Sequence, residues 1–276
     1  MPPMEVAYLG PAGTYSHLVA EKRFGARCTM LPFPTILEVC RFVSKSPSRR
    51  GVVPIENSSG GAIYETVDIL LENKPPVRIV EELSLDVKLA LMGHRGESIR
   101  TLYSHFAPIE HCATWLRRHL PRVQRRVVTS TAAAAQRAAE EPDAAALGNR
   151  RLAKMYDLDV LQYPVEADVP NVTVFVAVGG RVKLQPGASK TSLAVKLPNE
   201  PGSLCTFLEA FRDAGVNLCR IVSRPIRGCP REYAFLVDID GSPAQAHTRQ
   251  ALRQAARACV RLRIISSFPC RRPYKS

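Results

Sequence analysis

Along the first 180 residues, short β-branched runs alternate with stretches in which apolar positions recur every three or four residues. The runs predict strands at 6–9, 51–55, 77–80, 100–104, 123–129, 144–147 and 172–178. The helical spacing predicts helices at 15–24, 35–43, 109–119 and 131–139. Strands and helices alternating in this way read as an α/β fold. Two longer extended stretches, 77–92 and 171–178, are able to cross between two lobes. Gly179, Gly180, Pro186 and Gly187 then mark a linker. Beyond it the pattern is strand 191–196, helix 202–214, strands 217–223 and 231–240, helix 244–258 and strand 262–268. That β-α-β-β-α-β order is the ferredoxin-like arrangement. The chain is therefore expected to divide into a larger unit at 1–180 and a smaller one at 189–270.

Composition narrows the picture. A chain of 276 residues, 46% of them hydrophobic, can bury a substantial core in one large or two ordinary domains. No apolar run approaches the ~20 residues that span a bilayer. Met1 to Met4 lack the basic and apolar regions of a signal peptide, so a cytoplasmic protein without a membrane partner is expected. The eight cysteines (Cys28, Cys40, Cys112, Cys205, Cys219, Cys229, Cys259 and Cys270) are scattered and form no C-x-x-C pair. Reduced, largely buried thiols are expected, and no metal is implied. The formal charge is +13, but its arginines fall in short runs such as Arg117-Arg118, Arg125-Arg126 and Arg271-Arg272. They lack interleaved aromatics and a recognition helix, so nucleic acid is not an expected partner. A positive field of this kind does draw in small anions.

Candidate chemistry lies where strands give way to helices. Gly10 to Gly13 precede a helix, and small residues there expose backbone N–H groups that bind anions. Gly13, Thr14, Tyr15 and Ser16 are candidates for substrate binding, with Thr14 also suited to capping the helix. Glu56, Asn57 and Ser58 follow a buried strand at its C-terminal end, where open α/β sheets hold ligands. Asn57 and Ser58 can donate to carboxylate or keto oxygens, whereas Glu56 would repel an anion and is better suited to orienting its neighbours. Ser130 and Thr131 open an alanine-rich helix, as cap, as anion cradle, or as both. Thr173 and Phe175 lie on the apolar run at 172–178.

Five sets of segments carry a resemblance to prephenate dehydratases over almost the whole chain. They are Tyr8 to His17, Gly51 to Ser58, Ser104-His105 with Ser130 to Ala135, Asn171 to Phe175, and Pro201 to Leu204 with Ser223 to Pro225. The fourth resembles the family strand N-x-T-R-F, with Val174 in place of arginine. The last is similar to the ACT regulatory domain. The resemblance implies a two-lobed module like a periplasmic binding protein, with its active site in the cleft, followed by a ferredoxin-like ACT domain. It implies prephenate as substrate, no cofactor, and a homodimer or homotetramer. It further implies that Thr173, Asn57 and Ser58 are catalytic, and that the threonine assists loss of the ring hydroxyl while the missing arginine helps hold the anionic substrate.

Val174 removes five N–H donors and a permanent charge. Hydrogen bonds to charged groups are worth about 1.5 to 3 kcal/mol, so a transition state that used them slows by roughly ten- to hundredfold or more. The loop from Asp168 to Thr173 is also one residue shorter than the family pattern, and the stretch 87–91 lacks the histidine often found there. These departures point to a non-aromatising prephenate decarboxylase, making dihydro-4-hydroxyphenylpyruvate for specialised metabolism such as antibiotic biosynthesis. The alternatives are a prephenate dehydratase of phenylalanine biosynthesis and a non-catalytic amino-acid-binding regulator. In the smaller unit, Gly202, Ser203, Leu204, Ser223, Arg224 and Pro225 resemble the remnant of an effector site. Val222 stands where that site carries a glutamate, so weak feedback by phenylalanine is expected.

Overall fold

The computed structural model describes residues 3–25, 27–180 and 188–276; the linker at 181–187 and the N-terminal Met1 and Pro2 lie outside the described residues. The first lobe opens with β1 (Glu5–Leu9), α1 (Tyr15–Phe24), β2 (Thr29–Phe33), α2 (Ile36–Ser44), β3 (Arg50–Asn57), β4 (Gly61–Ala62), α3 (Tyr64–Glu72) and β5 (Arg78–Asp86). The second holds β6 (Leu89–Gly93), β7 (Thr101–Ser104), α4 (Phe106–His111), α5 (Ala113–His119), β8 (Gln124–Val127), α6 (Thr131–Glu140), β9 (Ala144–Gly148), α7 (Arg151–Met155) and β10 (Asp159–Val165). The chain returns to the first lobe as β11 (Val172–Gly179). A third sheet follows, built from β12 (Lys190–Lys196), α8 (Ser203–Asp213), β13 (Leu218–Pro225), β14 (Tyr233–Asp240), α9 (Ala246–Arg257) and β15 (Arg261–Phe268). Finally β16 (Tyr274–Lys275) pairs in parallel with β5, back in the first sheet.

The first sheet has the order β16-β5-β11-β3-β1-β2, with β4 beside β3, and the second β10-β6-β9-β7-β8. The first crossing between them lies within 77–92, where β5 and β6 are separated by Val87 and Lys88. The second crossing differs from expectation. It is made by residues 166–171, and β11 lies wholly in the first sheet between β5 and β3. Residues 109–119 also depart from the expected single helix, because the backbone breaks at Cys112 (φ −114°, ψ 23°) into α4 and α5.

β2 and β10 are absent from the sequence reading because each contains a proline, Pro32 and Pro164, which demotes a strand prediction. Both are edge strands, where the missing N–H is tolerated. In the second lobe, Ala132, Ala134, Ala135 and Ala138 of α6 pack on Ala90, Ala144 and Ala146. A Cβ at Gly148 would meet Thr131 Cβ at 2.8 Å. Small residues thus bring the start of α6 against the end of β9.

Leu236, Ile265 and Phe268 of the third sheet share a core with Val53, Ile55, Val176 and Val178 of the first. The opposite face of the first sheet joins Val52, Leu83, Leu85, Phe175 and Ala177 to the second lobe's Leu91, Leu102 and Leu147. The first sheet is therefore buried on both sides. The cysteines differ from expectation: Cys40 and Cys112 are buried, while Cys205, Cys219, Cys229 and Cys270 are exposed.

Candidate active site

A cleft of about 440 Å³ opens between the two lobes. Thr14, Tyr15, Ser16, Pro54, Asn57, Thr173 and Phe175 line it from the first lobe, and His105, His111, Thr129, Ser130 and Thr131 from the second. Asn171, Val87 and Leu89 line it where the chain crosses. Among the described residues no aspartate, glutamate, lysine or arginine lines the cleft.

Strict alternation along β3 would turn Val52, Pro54 and Glu56 towards the cleft and Asn57 away from it. A bulge reverses this. Val174 lies opposite Glu56 and Phe175 opposite Pro54, so Ile55 is an extra residue in β3. Ile55 packs in the core behind the sheet, Glu56 reaches the third sheet, and Asn57 enters the cleft opposite Thr173.

Asn57 has little freedom there. Its Oδ1 accepts from the backbone N–H groups of Ser59 (3.0 Å) and Gly60 (2.9 Å). Its Nδ2 therefore faces the other way and donates to Thr173 Oγ1 and Asn171 Oδ1, both at 2.9 Å. Asn171 Nδ2 in turn donates to His111 Nδ1 at 2.8 Å. Because an amide nitrogen only donates, His111 must accept at Nδ1 and carry its proton on Nε2. Burial pushes the His111 pKa below its ordinary value, against an opposing influence from Glu110, and so favours this neutral form. His111 and Asn171 are 7% and 6% exposed. An unpaired buried polar group costs about 1 to 3 kcal/mol, so the four side chains hold one another in place. Thr173 Oγ1 accepts from Asn57 and keeps its own O–H for the cleft.

The remaining candidates divide. Thr14 caps α1, accepting from His17 N at 3.4 Å and donating to Leu9 O at 2.9 Å, so its proton is used within the protein. Ser130 caps α6 by accepting from Ala133 N at 3.0 Å, which leaves its proton for the cleft. Ser16 and Thr131 are buried beside these two helix N-termini. Gly13 does not line the cleft. Its N–H donates to His17 Nδ1 and its carbonyl accepts from Asn149 of the second lobe, joining the lobes behind the cleft. Ser58 is also outside it. Its hydroxyl donates to Pro170 O (2.9 Å) and accepts from Val172 N (3.0 Å), pinning the short loop before Thr173.

Val174 overturns the premise drawn from it. Thr173 and Phe175 face the cleft, whereas Val174 packs against the core on the opposite side of β11, nearest the third sheet. An arginine there would not reach into the cleft from β11. At the expected effector remnant, Ser203 and Leu204 line a hollow of about 350 Å³ with Tyr233 and Phe235. Arg224 instead faces the first lobe, where it pairs with Asp68 at 2.6 and 2.7 Å and stacks over Tyr64. Val222 packs in the core between the two units.

His111 and Asn171 were not among the sequence candidates. Asn171 opens the fourth resembling segment, which was a usable signal. His111 sits inside a stretch read as one helix, and nothing local marks it.

Residues 6–183 match the family model for prephenate dehydratase. A bifunctional chorismate mutase/prephenate dehydratase from Pseudomonas aeruginosa is 35% identical over 269 residues, 97% of this chain and 73% of that protein. A prephenate dehydratase from Arthrobacter aurescens, solved in complex with L-Phe, superposes with a TM-score of 0.85 at 30% identity, covering 96% of this chain and 89% of that one. The structure of GqqA, described as a novel type of quorum quenching acylase, superposes with a TM-score of 0.87 at 25% identity, covering 97% and 98%.

Proposed function

This chain belongs to the prephenate dehydratase family of lyases, and from that premise we propose that it converts prephenate to phenylpyruvate, water and carbon dioxide in the interlobe cleft. The observation that carries the reading is the Asn57–Thr173 hydrogen bond. It fixes the threonine oxygen as an acceptor and so directs the hydroxyl proton at the substrate. In the reaction, the ring carboxylate leaves as carbon dioxide and its bonding electrons enter the ring. The ring hydroxyl departs from the opposite carbon with Thr173 donating a hydrogen bond to it, and a proton from solvent completes the water, so Thr173 ends the cycle neutral. The bond from Asn57 lets Thr173 carry the charge that develops there. Among the described residues no lysine or arginine lines the cleft to meet the carboxylates, so the N-termini of α1 and α6 supply the positive potential from opposite lobes.

One premise of the decarboxylase reading was a missing cation in the substrate pocket, and Val174 faces the other way. The shorter loop from Asp168 to Thr173 and the stretch 87–91 without a histidine stand as before. Hydrolysis of an acyl group is favoured still less. A hydroxyl nucleophile needs a base within hydrogen-bond reach, and the side-chain partner of Thr173 is an amide donor.

Incubation of the purified chain with prephenate, followed by the ultraviolet spectrum, tests the proposal. An aromatic product is expected, and Thr173→Ala should lower kcat about a hundredfold while Thr173→Ser retains most of it. A conjugated, non-aromatic product would restore the decarboxylase. No turnover at all would leave the regulatory reading.

A further inference from the structure

Arg220 sits on β13, outside the cleft, with its side chain 7% exposed. Nε donates to Glu56 Oε2 at 2.7 Å, Nη2 reaches Glu82 Oε2 at 3.5 Å, and Nη1 pairs with Asp238 on β14. Glu56 belongs to β3 and Glu82 to β5, the two strands that flank β11. The guanidinium thus bridges both neighbours of the strand that carries Thr173. It does so on the face where Val174 presents a small apolar side chain. Lys190 also donates to Glu82, at 2.6 Å, and Ser192 donates to Asp238. Three carboxylates and two cations therefore form one half-buried network. Burial works against the Arg220 charge, but Asp238, Glu56 and Glu82 outweigh it and hold the group above its ordinary pKa.

Glu56 is the last residue before Asn57, on the side of the bulge that faces away from the cleft. The Glu56 carboxylate is thus tied to the smaller unit at the bulge, one position before Asn57. We propose that Arg220 is a positioning residue for the cleft: by anchoring Glu56 and Glu82 on either side of β11, it holds Asn57 against Thr173. The inference rests on the reading that Asn57 and Thr173 act on substrate. It assigns the smaller unit a fixed mechanical role in the site, independent of any effector.

The test compares Arg220→Met, Arg220→Lys and Glu56→Gln with Arg263→Met. Arg263 also joins the units, donating to the carbonyls of Leu70 and Leu71, but does not touch Glu56. Loss of aim at a reacting group lowers the chemical step more than binding. Arg220→Met and Glu56→Gln should therefore each lower kcat by about tenfold or more and change KM by less than about threefold. The double variant should be no worse than the poorer single one, and Arg220→Lys should recover part of the loss. The Asn57 side-chain amide, followed by nitrogen-15 NMR and assigned by its loss in Asn57→Ser, should shift in both variants and stay in place in Arg263→Met. If Arg220→Met fails to fold, Glu56→Gln still decides, since Arg220 then retains Asp238 and Glu82. An unmoved Asn57 amide, or an equal kcat loss in Arg263→Met at equal loss of thermal stability, overturns the proposal. A wild-type chain that does not turn over prephenate defeats the functional reading alone, and the amide signal still answers for Arg220.

Discussion

Asn57 shows how a single carboxamide can be specified from both ends. Two backbone donors settle where its oxygen lies, and Thr173 and Asn171 then receive its nitrogen. His111 closes the series and makes it sensitive to pH. Its proton affinity is lowered in the folded protein, chiefly by burial, so the unfolded chain binds a proton more readily than the native one. The resulting stability is fully present above the ordinary value of 6.5 and is lost as pH falls below it towards the lower native value. Protonation would also convert Nδ1 from acceptor to donor and set it against the Asn171 amide. His111→Gln should therefore lose less stability than the wild type between about pH 7.5 and 5.5, measured by urea unfolding. His17 and His105 are lowered as well, so the difference between the two proteins is the informative quantity. Equal losses would mean that His111 does not report on this region.

At the scale of elements, the turn from β1 into α1 joins the lobes at Gly13, while Gly10 before it and Thr14 to Ser16 after it line the cleft. Gly13 has φ +85°, and a Cβ there would run into Leu152 of the second lobe. Its carbonyl accepts from Asn149 at 3.3 Å. Gly13→Ala would combine a strained backbone with an interlobe clash, and either alone costs about 1 to 3 kcal/mol. The expected result is a lower denaturant midpoint together with a raised KM, since the N-terminus of α1 would shift relative to that of α6. An unchanged midpoint in equilibrium unfolding would show that the turn relaxes freely. The bulge in β3 is the complementary device. Turn and bulge together set which polar groups of the first lobe reach the cleft.

For the whole molecule, charge and cleft are separate. The chain carries a formal charge of +13, yet no charged side chain lines the cleft among the described residues. Long-range attraction should therefore govern encounter with an anionic substrate, while short hydrogen bonds and helix N-termini hold it. Surface fields are screened over about 8 Å at physiological ionic strength, whereas contacts inside a cleft are screened much less. Raising salt from about 0.05 to 0.5 M should increase KM several-fold and leave kcat nearly constant. A fall in kcat with constant KM would reverse that division. The third sheet belongs to the same architecture, since it packs on the face of the first sheet opposite the cleft and β16 returns to lie beside β5.

Much of this protein was legible without its fold. Alternating apolar runs determined the α/β character of the first 180 residues, and element order determined the ferredoxin-like topology after the linker. The polar residues at strand ends marked Thr14, Ser16, Asn57, Ser130 and Thr131, which line the cleft, and Ser58, which does not; Thr173 was marked by the resembling segment. These are local properties, carried by spacing and by residue chemistry within a few positions. Only the tertiary structure decided which way the side chains of β3 and β11 point. A bulge is produced by pairing with a strand more than a hundred residues away, and it inverts the alternation on which a local reading relies. That inversion put Asn57 in the cleft and Glu56 behind it, while pairing placed Val174 on the same rear face. The partners of those positions, Arg220 for Glu56 and His111 for Asn171, lie far apart in the chain and meet only because three sheets pack together.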